Sequence, residues 1–365
     1  MKVLMEKAVK LADTVMVDYP GRISNKWQYD AGLTLMGFDK LYHVTGLDRY
    51  RKYIDDFFNH LVEEDGTIKT YLKEAWNLDN LNCGKNLFDI YKRTSDEKYR
   101  IAIETLASQA REQPVTESGV YWHKKIYPNQ IWLDGIFMGE PFIARYAQEF
   151  DHPELYDKIL HQFVVAEEKT YEPRCGLYAH GCDESKMAFW ADKNTGRSLN
   201  VWGRACGWYS MALVDTLDYI PKEREDIHNQ LVMQLNKLMS SVIKYQSEEG
   251  VWYQVLDNRR NDNFMEATCT CQFAYTLEKG IRLGYLEPEL YSSSMHKAVN
   301  GILKIFWVEQ EGKVYITNCC TVAGLGPENN PRRNGTLDYY FNELIGKNDL
   351  KAVGPFLMMA TTYDI

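Results

Sequence analysis

Apolar residues along this chain recur at the three-to-four-residue spacing of helices, in segments that come in pairs. The first segment of each pair is apolar nearly all round, and a turn such as the one at 45–46 or 94–96 ends it. The second segment, as at 47–61, 97–110 and 153–166, carries a charged face. This pattern predicts a buried helix followed by an amphipathic helix that lies outside it.

Three of these pairs share an aromatic and acidic pattern. Asp30, Asp79 and Asp134 are each followed by a Tyr twelve positions later, although the units are 49 and 55 residues apart. A fourth unit carries Arg204 in place of the Asp, and weaker fifth and sixth units lie near 266–284 and 339–361. Repeated spacing of this kind indicates one structural unit used several times.

About six such helical hairpins predict an all-α (α/α)6 barrel, a six-hairpin toroid, with short β decorations at 251–256 and 313–317. An N-terminal helix from 4 to about 19 would pair with the last helix, 351–361, and close the ring. An open α-solenoid is the competing architecture. We favour closure because the polar residues at the inner-helix starts would then meet at one mouth. No linker divides the chain, so residues 1–365 are predicted to form a single domain.

Charge and composition narrow the partners. The chain has 42 Lys and Arg against 51 Asp and Glu, a net charge of −9, which argues against nucleic acid or an anionic membrane bound through bulk charge. No apolar stretch of 18 residues predicts a membrane span, and the first 20 residues lack a secretory apolar core. Eight cysteines without metal-type spacing indicate reduced thiols and a cytoplasmic protein.

The predicted mouth gathers carboxylates, tryptophans and cations. An Asp at a helix start is by itself most often a helix-capping residue. A tryptophan beside each Asp favours a sugar pocket instead, because two carboxylates in an aromatic site can divide acid and base roles. Burial against the neighbouring Trp132 predicts a raised pKa for Asp134. The candidate residues are Trp27, Asp30, Trp76, Asp79, His123, Lys124, Trp132, Asp134, His180, Trp202, Arg204 and Arg333.

Other chemistries find little support. The chain has no nucleotide-binding fingerprint, P-loop, HExxH motif or nucleophile elbow. His180 and Asp183 lack a third ligand at convincing spacing, so we predict no metal and no cofactor.

Five motifs together resemble glycoside hydrolase family 105, the unsaturated rhamnogalacturonyl hydrolases. They are NQIWLDG at 129–135, WGRACGW at 202–208, VAGLG at 322–326, RNG at 333–335 and NDLKAVGPF at 348–356. The resemblance implies an (α/α)6 barrel that hydrates the double bond of a 4,5-unsaturated uronic acid at the non-reducing end of a lyase-derived oligosaccharide. The aglycone would most commonly be rhamnose.

The resemblance also implies residue roles. Asp134 would be the general acid and Asp79 the second carboxylate, while His123, Lys124, His180, Trp202, Arg204 and Arg333 would bind the uronate and Met138 would line the pocket floor. The alternatives are an unsaturated glucuronyl hydrolase of family 88, a histidine-dependent sugar epimerase on the same toroid, and a non-catalytic carbohydrate-binding barrel. The protein is expected to be a monomer or a weak homo-oligomer.

Overall fold

A computed structural model describes residues 2–20 and 23–363 of the chain. Helices dominate it. They are α1 (Lys2–Asp18), α2 (Tyr29–Thr45), α3 (Asp48–Leu61), α4 (Asp79–Thr94), α5 (Glu97–Glu112), α6 (Leu133–Glu149), α7 (Leu155–Thr170), α8 (Gly203–Thr216), α9 (Glu225–Val242), α10 (Ala267–Arg282), α11 (Pro288–Gly301), α12 (Leu337–Phe341) and α13 (Leu350–Ala360).

Six of these helices form a closed inner ring. In order they are α2, α4, α6, α8, α10 and α13, each packed against the next, and α13 returns to pack against α2. The outer helices α3, α5, α7, α9 and α11 each follow and cover the inner helix before them, while α1 covers α13. The fold is therefore an (α/α)6 barrel, which confirms the predicted toroid and its closure by the terminal helices and excludes the open solenoid.

Burial explains which helices lie inside. Every residue of α8 is buried, as expected for a helix enclosed on all sides. The outer helix α3 buries Tyr50, Ile54, Phe57 and three further aromatic or aliphatic residues on one face, and leaves charged residues on the other. Close packing in the ring requires small residues. A Cβ at Gly32 would lie 2.5 Å from the backbone of Cys83 on the neighbouring inner helix.

Short antiparallel ribbons connect the helices. The strands are β1 (Gln130–Trp132), β2 (Tyr171–Glu172), β3 (Leu177–Tyr178), β4 (Gly181–Asp183), β5 (Trp307–Gln310), β6 (Lys313–Ile316), β7 (Cys319–Cys320) and β8 (Ile345–Gly346). They pair as β1 with β4, β2 with β3, β5 with β6 and β7 with β8.

Two expectations about these segments meet different outcomes. Strand β6 confirms the predicted strand at 313–317, whereas 251–256 makes only isolated bridges, Tyr253 with Met265 and Val255 with Trp202, so a strand there was wrong. The sixth unit is also interrupted, because Tyr339 and Tyr340 lie in the short helix α12, apart from the inner helix α13.

Two further findings concern the described chain as a whole. All eight cysteines are free of disulfide bonds, and all but Cys175 are buried. None of the described helices combines the length and apolar character that crossing a membrane requires.

Candidate active site

The N-terminal ends of the inner helices meet at one end of the barrel, which we call the mouth. Asp79 is the first residue of α4, and Asp30, Asp134 and Arg204 are the second residues of α2, α6 and α8. The cap positions before the three acidic residues belong to Gln28, Leu78 and Trp132, none of which makes a side-chain cap bond. The three carboxylates do not occupy these cap positions, although Asp30 Oδ1 accepts a hydrogen bond from the Ala31 N–H at 2.8 Å.

A β ribbon brings His180 to Asp134. In the pairing of β1 with β4, Trp132 lies opposite Gly181, and the Leu133 N–H donates to the His180 carbonyl at 3.3 Å. Asp134 follows Leu133 directly, so His180 Nε2 lies 3.4 Å from Asp134 Oδ2. The His180 side chain is fully buried, and 13% of the Asp134 side chain is exposed. The ribbon thus pairs an imidazole with the carboxylate that leads α6.

A tyrosine holds the other side of this imidazole. His180 Nδ1 lies 2.7 Å from the Tyr340 hydroxyl, and burial raises the pKa of Tyr340 well above its usual value. The hydroxyl therefore stays protonated and can donate to Nδ1, an arrangement that goes with a ring hydrogen on Nε2, facing the Asp134 carboxylate. Gln254 supports this arrangement, because its amide donates to the Tyr340 carbonyl and its oxygen accepts from Trp202 Nε1. Sequence patterning did not single out Tyr340 or Gln254 as site residues.

Asp79 forms a second charged centre beside the first. Lys124 Nζ donates to Asp79 Oδ2 at 2.6 Å, and His123 Nε2 lies 3.6 Å from Asp79 Oδ1. Backbone hydrogen bonding fixes this loop, since the Leu78 N–H donates to the His123 carbonyl at 3.1 Å. Burial lowers the pKa of His123 to about 4, so its ring is neutral at physiological pH. Lys124 is then the cation that pairs with Asp79.

Trp132 joins the two centres. Its ring stacks on His123 at 4.7 Å and on Tyr127 at 4.5 Å, and meets His180 edge-on at 5.3 Å. Its Nε1 donates to Gln130 Oε1 at 3.0 Å, and the side chain is buried. Trp132 therefore packs the wall of the site and fixes both histidines.

The pKa of Asp134 is lowered, so the prediction of a raised value was wrong. Burial does raise it, but the neighbouring His180, His123 and Arg204 side chains together lower it by more. The mouth carboxyl whose pKa is raised is Asp30, where burial outweighs the opposing charge of Lys351. Asp134 is thus a stronger acid than Asp30, whereas burial alone would raise the pKa of both carboxyl groups.

Arg204 is a buried cation within the mouth. Its guanidinium lies 4.5 Å from the Trp202 ring centroid and donates through Nη1 to the Cys320 carbonyl. Its Nε has no hydrogen-bond partner in the described part of the chain. Trp202 in turn lies 4.5 Å from the His180 ring. Arg204 therefore keeps a free donor close to the Asp134 and His180 pair.

The remaining predicted residues occupy varied positions. Trp27 and Asp30 line a cavity of about 330 Å³ together with Asp79. Arg333 lies near the aromatic wall of the site. A Cβ built at Gly324 would lie 3.2 Å from Arg333 Nη1 and 3.5 Å from the Trp132 ring, so both side chains are close to this glycine.

The lining of this cavity does not include the Asp134 and His180 pair, nor Met138 or Trp76. Met138 is buried one turn after Asp134, within the core. Trp76 is half-buried, does not line the cavity, and adopts a left-handed backbone with φ of 45°.

The described residues contain no group of three or more His, Cys, Asp or Glu placed to hold a metal ion. The ionisable side chains of the mouth are three carboxylates, two imidazoles, Lys124 and Arg204, in an aromatic setting. Such a set can donate a proton, accept one and bind an anion.

Comparisons with known proteins agree with the family resemblance and the fold. The model of Glycosyl Hydrolase Family 88 matches residues 5–364. A solved structure from C. acetobutylicum, described as a glycoside hydrolase from family 105, superimposes with a TM-score of 0.93 at 39% identity, covering 97% of this chain and 98% of that one.

Two curated proteins are also similar. A protein of Agrobacterium fabrum is 36% identical over 226 residues, which is 60% of this chain and 96% of that protein. The unsaturated rhamnogalacturonyl hydrolase YesR of Bacillus subtilis is 23% identical over 322 residues, 85% of this chain and 84% of YesR.

Proposed function

The chain belongs to Glycosyl Hydrolase Family 88 and is a glycosidase, and from this premise we propose that it releases a 4,5-unsaturated uronic acid from the non-reducing end of lyase-derived oligosaccharides. The aglycone in this proposal is rhamnose. That choice is supported by the likeness to a relative named as an unsaturated rhamnogalacturonyl hydrolase. The proposed setting is the cytoplasm, with the protein a monomer or a weak homo-oligomer.

One observation carries the proposal. Asp134 faces a buried imidazole at 3.4 Å, with Arg204 on one neighbouring inner helix and the Asp79–Lys124 pair on the other. A uronate needs a cationic partner for its carboxylate and polar partners for its hydroxyls. An enol ether needs a proton donor at its β carbon. The mouth offers all three within one site.

The proposed reaction adds water across the C4–C5 double bond. Asp134 donates its proton to C4, and the positive charge that develops at C5 is shared with the ring oxygen. Water then bonds to C5 and gives its proton to the Asp134 carboxylate, which restores the acid. The resulting hemiketal opens to a ketone at C5, and the acetal carbon C1 becomes an aldehyde as the aglycone leaves. Separation of the carboxylates does not predict retention or inversion here, because C1 is not the attacked carbon.

The lowered pKa of Asp134 has a place in this scheme. His180 and Arg204 favour the ionised form of the Asp134 carboxyl in the free enzyme. A bound uronate brings its own negative charge to these same donors, and so weakens their effect on Asp134. We therefore propose that substrate binding raises the pKa of Asp134 and prepares it to act as the acid. Asp79, held by Lys124, would bind substrate hydroxyls and stabilise the developing positive charge.

The test replaces Asp134 by Asn. We expect kcat to fall by at least about 1,000-fold, measured as loss of the ultraviolet absorbance of the unsaturated uronate, with substrate affinity largely kept. Asp157→Asn is the matched control, since Asp157 is an exposed partner of Arg224 on the outer surface. An Asp134→Asn enzyme with wild-type turnover would refute the proposed role.

The pH dependence gives a second test of the same acid. The reaction needs protonated Asp134, so the rate falls as pH rises through the pKa of this group. Because that pKa is lowered in the free enzyme and raised by the substrate, the fall in kcat/KM should occur at lower pH than the fall in kcat. Coincident profiles would contradict the proposed effect of the substrate carboxylate.

Substrate choice separates this proposal from its alternatives. We expect turnover of an unsaturated galacturonyl–rhamnose disaccharide at a higher kcat/KM than an unsaturated glucuronyl disaccharide from a glycosaminoglycan. The reverse order would make the chain an unsaturated glucuronyl hydrolase. No loss of absorbance with either disaccharide would favour a non-catalytic barrel.

A further inference from the structure

A second cavity, of about 320 Å³, opens at the end of the barrel opposite the mouth. We call it the basal cavity. It is lined by the later turns of the inner helices. Asp215, for example, follows Arg204 on α8 by eleven residues, which places it about 16 Å further along the helix axis. The residues that define the basal cavity are Lys85, Asn86, Asp215, Tyr219, Tyr275 and Lys279.

Most charges around the basal cavity are paired within the protein. Lys279 Nζ donates to Asp215 Oδ1 at 2.7 Å and to Asp218 Oδ2 at 2.6 Å. Arg145, which also lines the cavity, is paired with Asp89 at 2.6 Å. A ligand cannot gain much from these groups, because their charges are already neutralised.

Lys85 differs from them. It is 5% exposed, and its Nζ donates to the Phe137 carbonyl at 2.7 Å and lies 3.9 Å from that ring's centroid. Among the residues the structure describes, no carboxylate lies within ion-pair distance of it. An ammonium group has three hydrogens to donate, so two remain beyond the bond to Phe137. A buried amine without a counter-ion is costly, and this one faces a cavity.

The charges of the basal cavity indicate what kind of ligand it can bind. An unpaired ammonium calls for a single negative charge, because the other buried cations of the cavity, Arg145 and Lys279, are already paired with carboxylates. The side-chain oxygen of Asn86 accepts no hydrogen bond within the described chain and can accept one from a ligand hydroxyl. The Tyr219 ring offers a face for a hydroxylated ring to pack on. The volume is at the lower end of that of small-molecule sites.

We propose that the basal cavity binds a monosaccharide-sized sugar acid, with its carboxylate paired to Lys85 and its hydroxyls bonded to polar groups of the cavity wall. None of the mouth residues takes part in this site, so this proposal can be tested independently of the proposed function.

The environment of Lys85 gives the site a recognisable proton linkage. Burial lowers the pKa of Lys85 to about 7, the charge of Lys279 lowers it further, and those of Asp215 and Glu140 oppose this. At pH 8 the free amine is therefore mostly neutral. A bound carboxylate favours the ammonium form, so binding at pH 8 should take up a proton.

Calorimetry with D-galacturonate, D-galactose and inorganic phosphate tests the site. We expect galacturonate to bind at least tenfold more tightly than either other probe, with a heat at pH 8 that depends on the buffer's ionisation enthalpy. Lys85→Met should abolish the binding that takes up a proton, while Lys124→Met at the mouth should leave that proton-linked binding in place.

Three results would overturn the proposal. They are galacturonate binding that survives in Lys85→Met but is lost in Lys124→Met, phosphate binding as tight as that of galacturonate, and no binding of galacturonate. Removal of an unpaired buried amine should leave the melting temperature of Lys85→Met at or above that of the wild type. Lys85→Gln provides the same comparison if the methionine variant fails to fold.

Discussion

The hydrogen bond between Tyr340 and His180 decides which nitrogen of the imidazole faces Asp134. The hydroxyl can donate to Nδ1 only while that nitrogen lacks a hydrogen, so donation from Tyr340 goes with the tautomer that carries its hydrogen on Nε2. In that form the ring donates toward Asp134 and stabilises the carboxylate. Tyr340 is therefore a positioning residue, acting on Asp134 through His180.

Tyr340→Phe should change the pH profile as well as the rate. Without the hydroxyl, Nδ1 can carry the hydrogen and Nε2 then presents a lone pair to Asp134, which raises the pKa of that carboxyl. We expect kcat to fall about tenfold, the value of one hydrogen bond to a critical group. The decline of kcat/KM with rising pH should move to higher pH, as measured from pH–rate profiles.

The control for this variant lies elsewhere in the chain. The Tyr363 hydroxyl makes the same type of bond, 2.7 Å from His296 Nδ1, far from the mouth in the fold. Tyr363→Phe should leave both rate and profile unchanged. A lower rate in Tyr340→Phe with an unmoved profile would show that Tyr340 is only structural.

The sequence predicted which carboxylates lie at the mouth, but not how acidic they are. The repeat identified Asp30, Asp79 and Asp134 because each precedes an apolar helix at fixed spacing. It could not give the acidity of Asp134, since the adjacent Trp132 indicates burial while the groups that lower its pKa, His180 and Arg204, come from distant positions.

At the scale of elements, the ribbon of β1 and β4 sets the distance between Asp134 and His180. Trp132 and Gly181 are directly opposite in its register. A Cβ at Gly181 would lie 2.7 Å from the Ile131 carbonyl oxygen and 3.2 Å from the Trp132 ring. No flexible side chain can move aside there, because the first of these contacts is with backbone.

Gly181→Ala should therefore separate the strands and shift His180 from Asp134. We expect kcat/KM to fall about 100-fold, as displacement of a catalytic group by about 1 Å can cost that much. The free energy of unfolding should fall by a smaller proportion than kcat/KM, because the ribbon is short. Activity assays with urea denaturation measure both.

Gly139→Ala provides the comparison within α6. A Cβ at Gly139 would make ordinary contacts, the nearest at 3.7 Å. Because Ala is favoured over Gly inside a helix, this variant should keep full activity and gain about 0.5–1 kcal/mol in stability. If Gly181→Ala proved as active as Gly139→Ala, the ribbon would not position the pair.

At the scale of the whole molecule, closure of the ring depends on the contact between α13 and α2. These helices come from opposite ends of the chain and approach closely at Gly354 and Leu33. A Cβ at Gly354 would lie 2.7 Å from Leu33 Cγ and 2.8 Å from the Leu33 carbonyl oxygen. The ring therefore closes only because the position lacks a side chain.

Gly354→Ala should destabilise the entire barrel by about 1–3 kcal/mol, the usual cost of overpacking a core. Urea unfolding followed by circular dichroism measures the change, with Gly139→Ala as the matched variant. A single cooperative transition at lower urea is expected, because an opened ring exposes every inner helix. An unchanged midpoint would show that the α2–α13 contact tolerates separation.

The sequence by itself determined the helices, their inner or outer placement and the convergence of their starts. Helix period and a chain-wide repeat are local properties, so Asp30, Asp79, Asp134 and Arg204 could be placed at one mouth from spacing alone. Membership in a hydrolase family was likewise carried by the motifs, in their order along the chain.

Only the tertiary structure decided which groups touch. The Tyr340–His180–Asp134 chain joins residues up to about 200 positions apart, and its geometry depends on ribbon register and on where α12 packs. The unpaired Lys85 lies on an inner helix whose sequence marks it only as an interruption of an apolar face. Acidity and ligand affinity depend on distances between charges in three dimensions, and no local pattern encodes those distances.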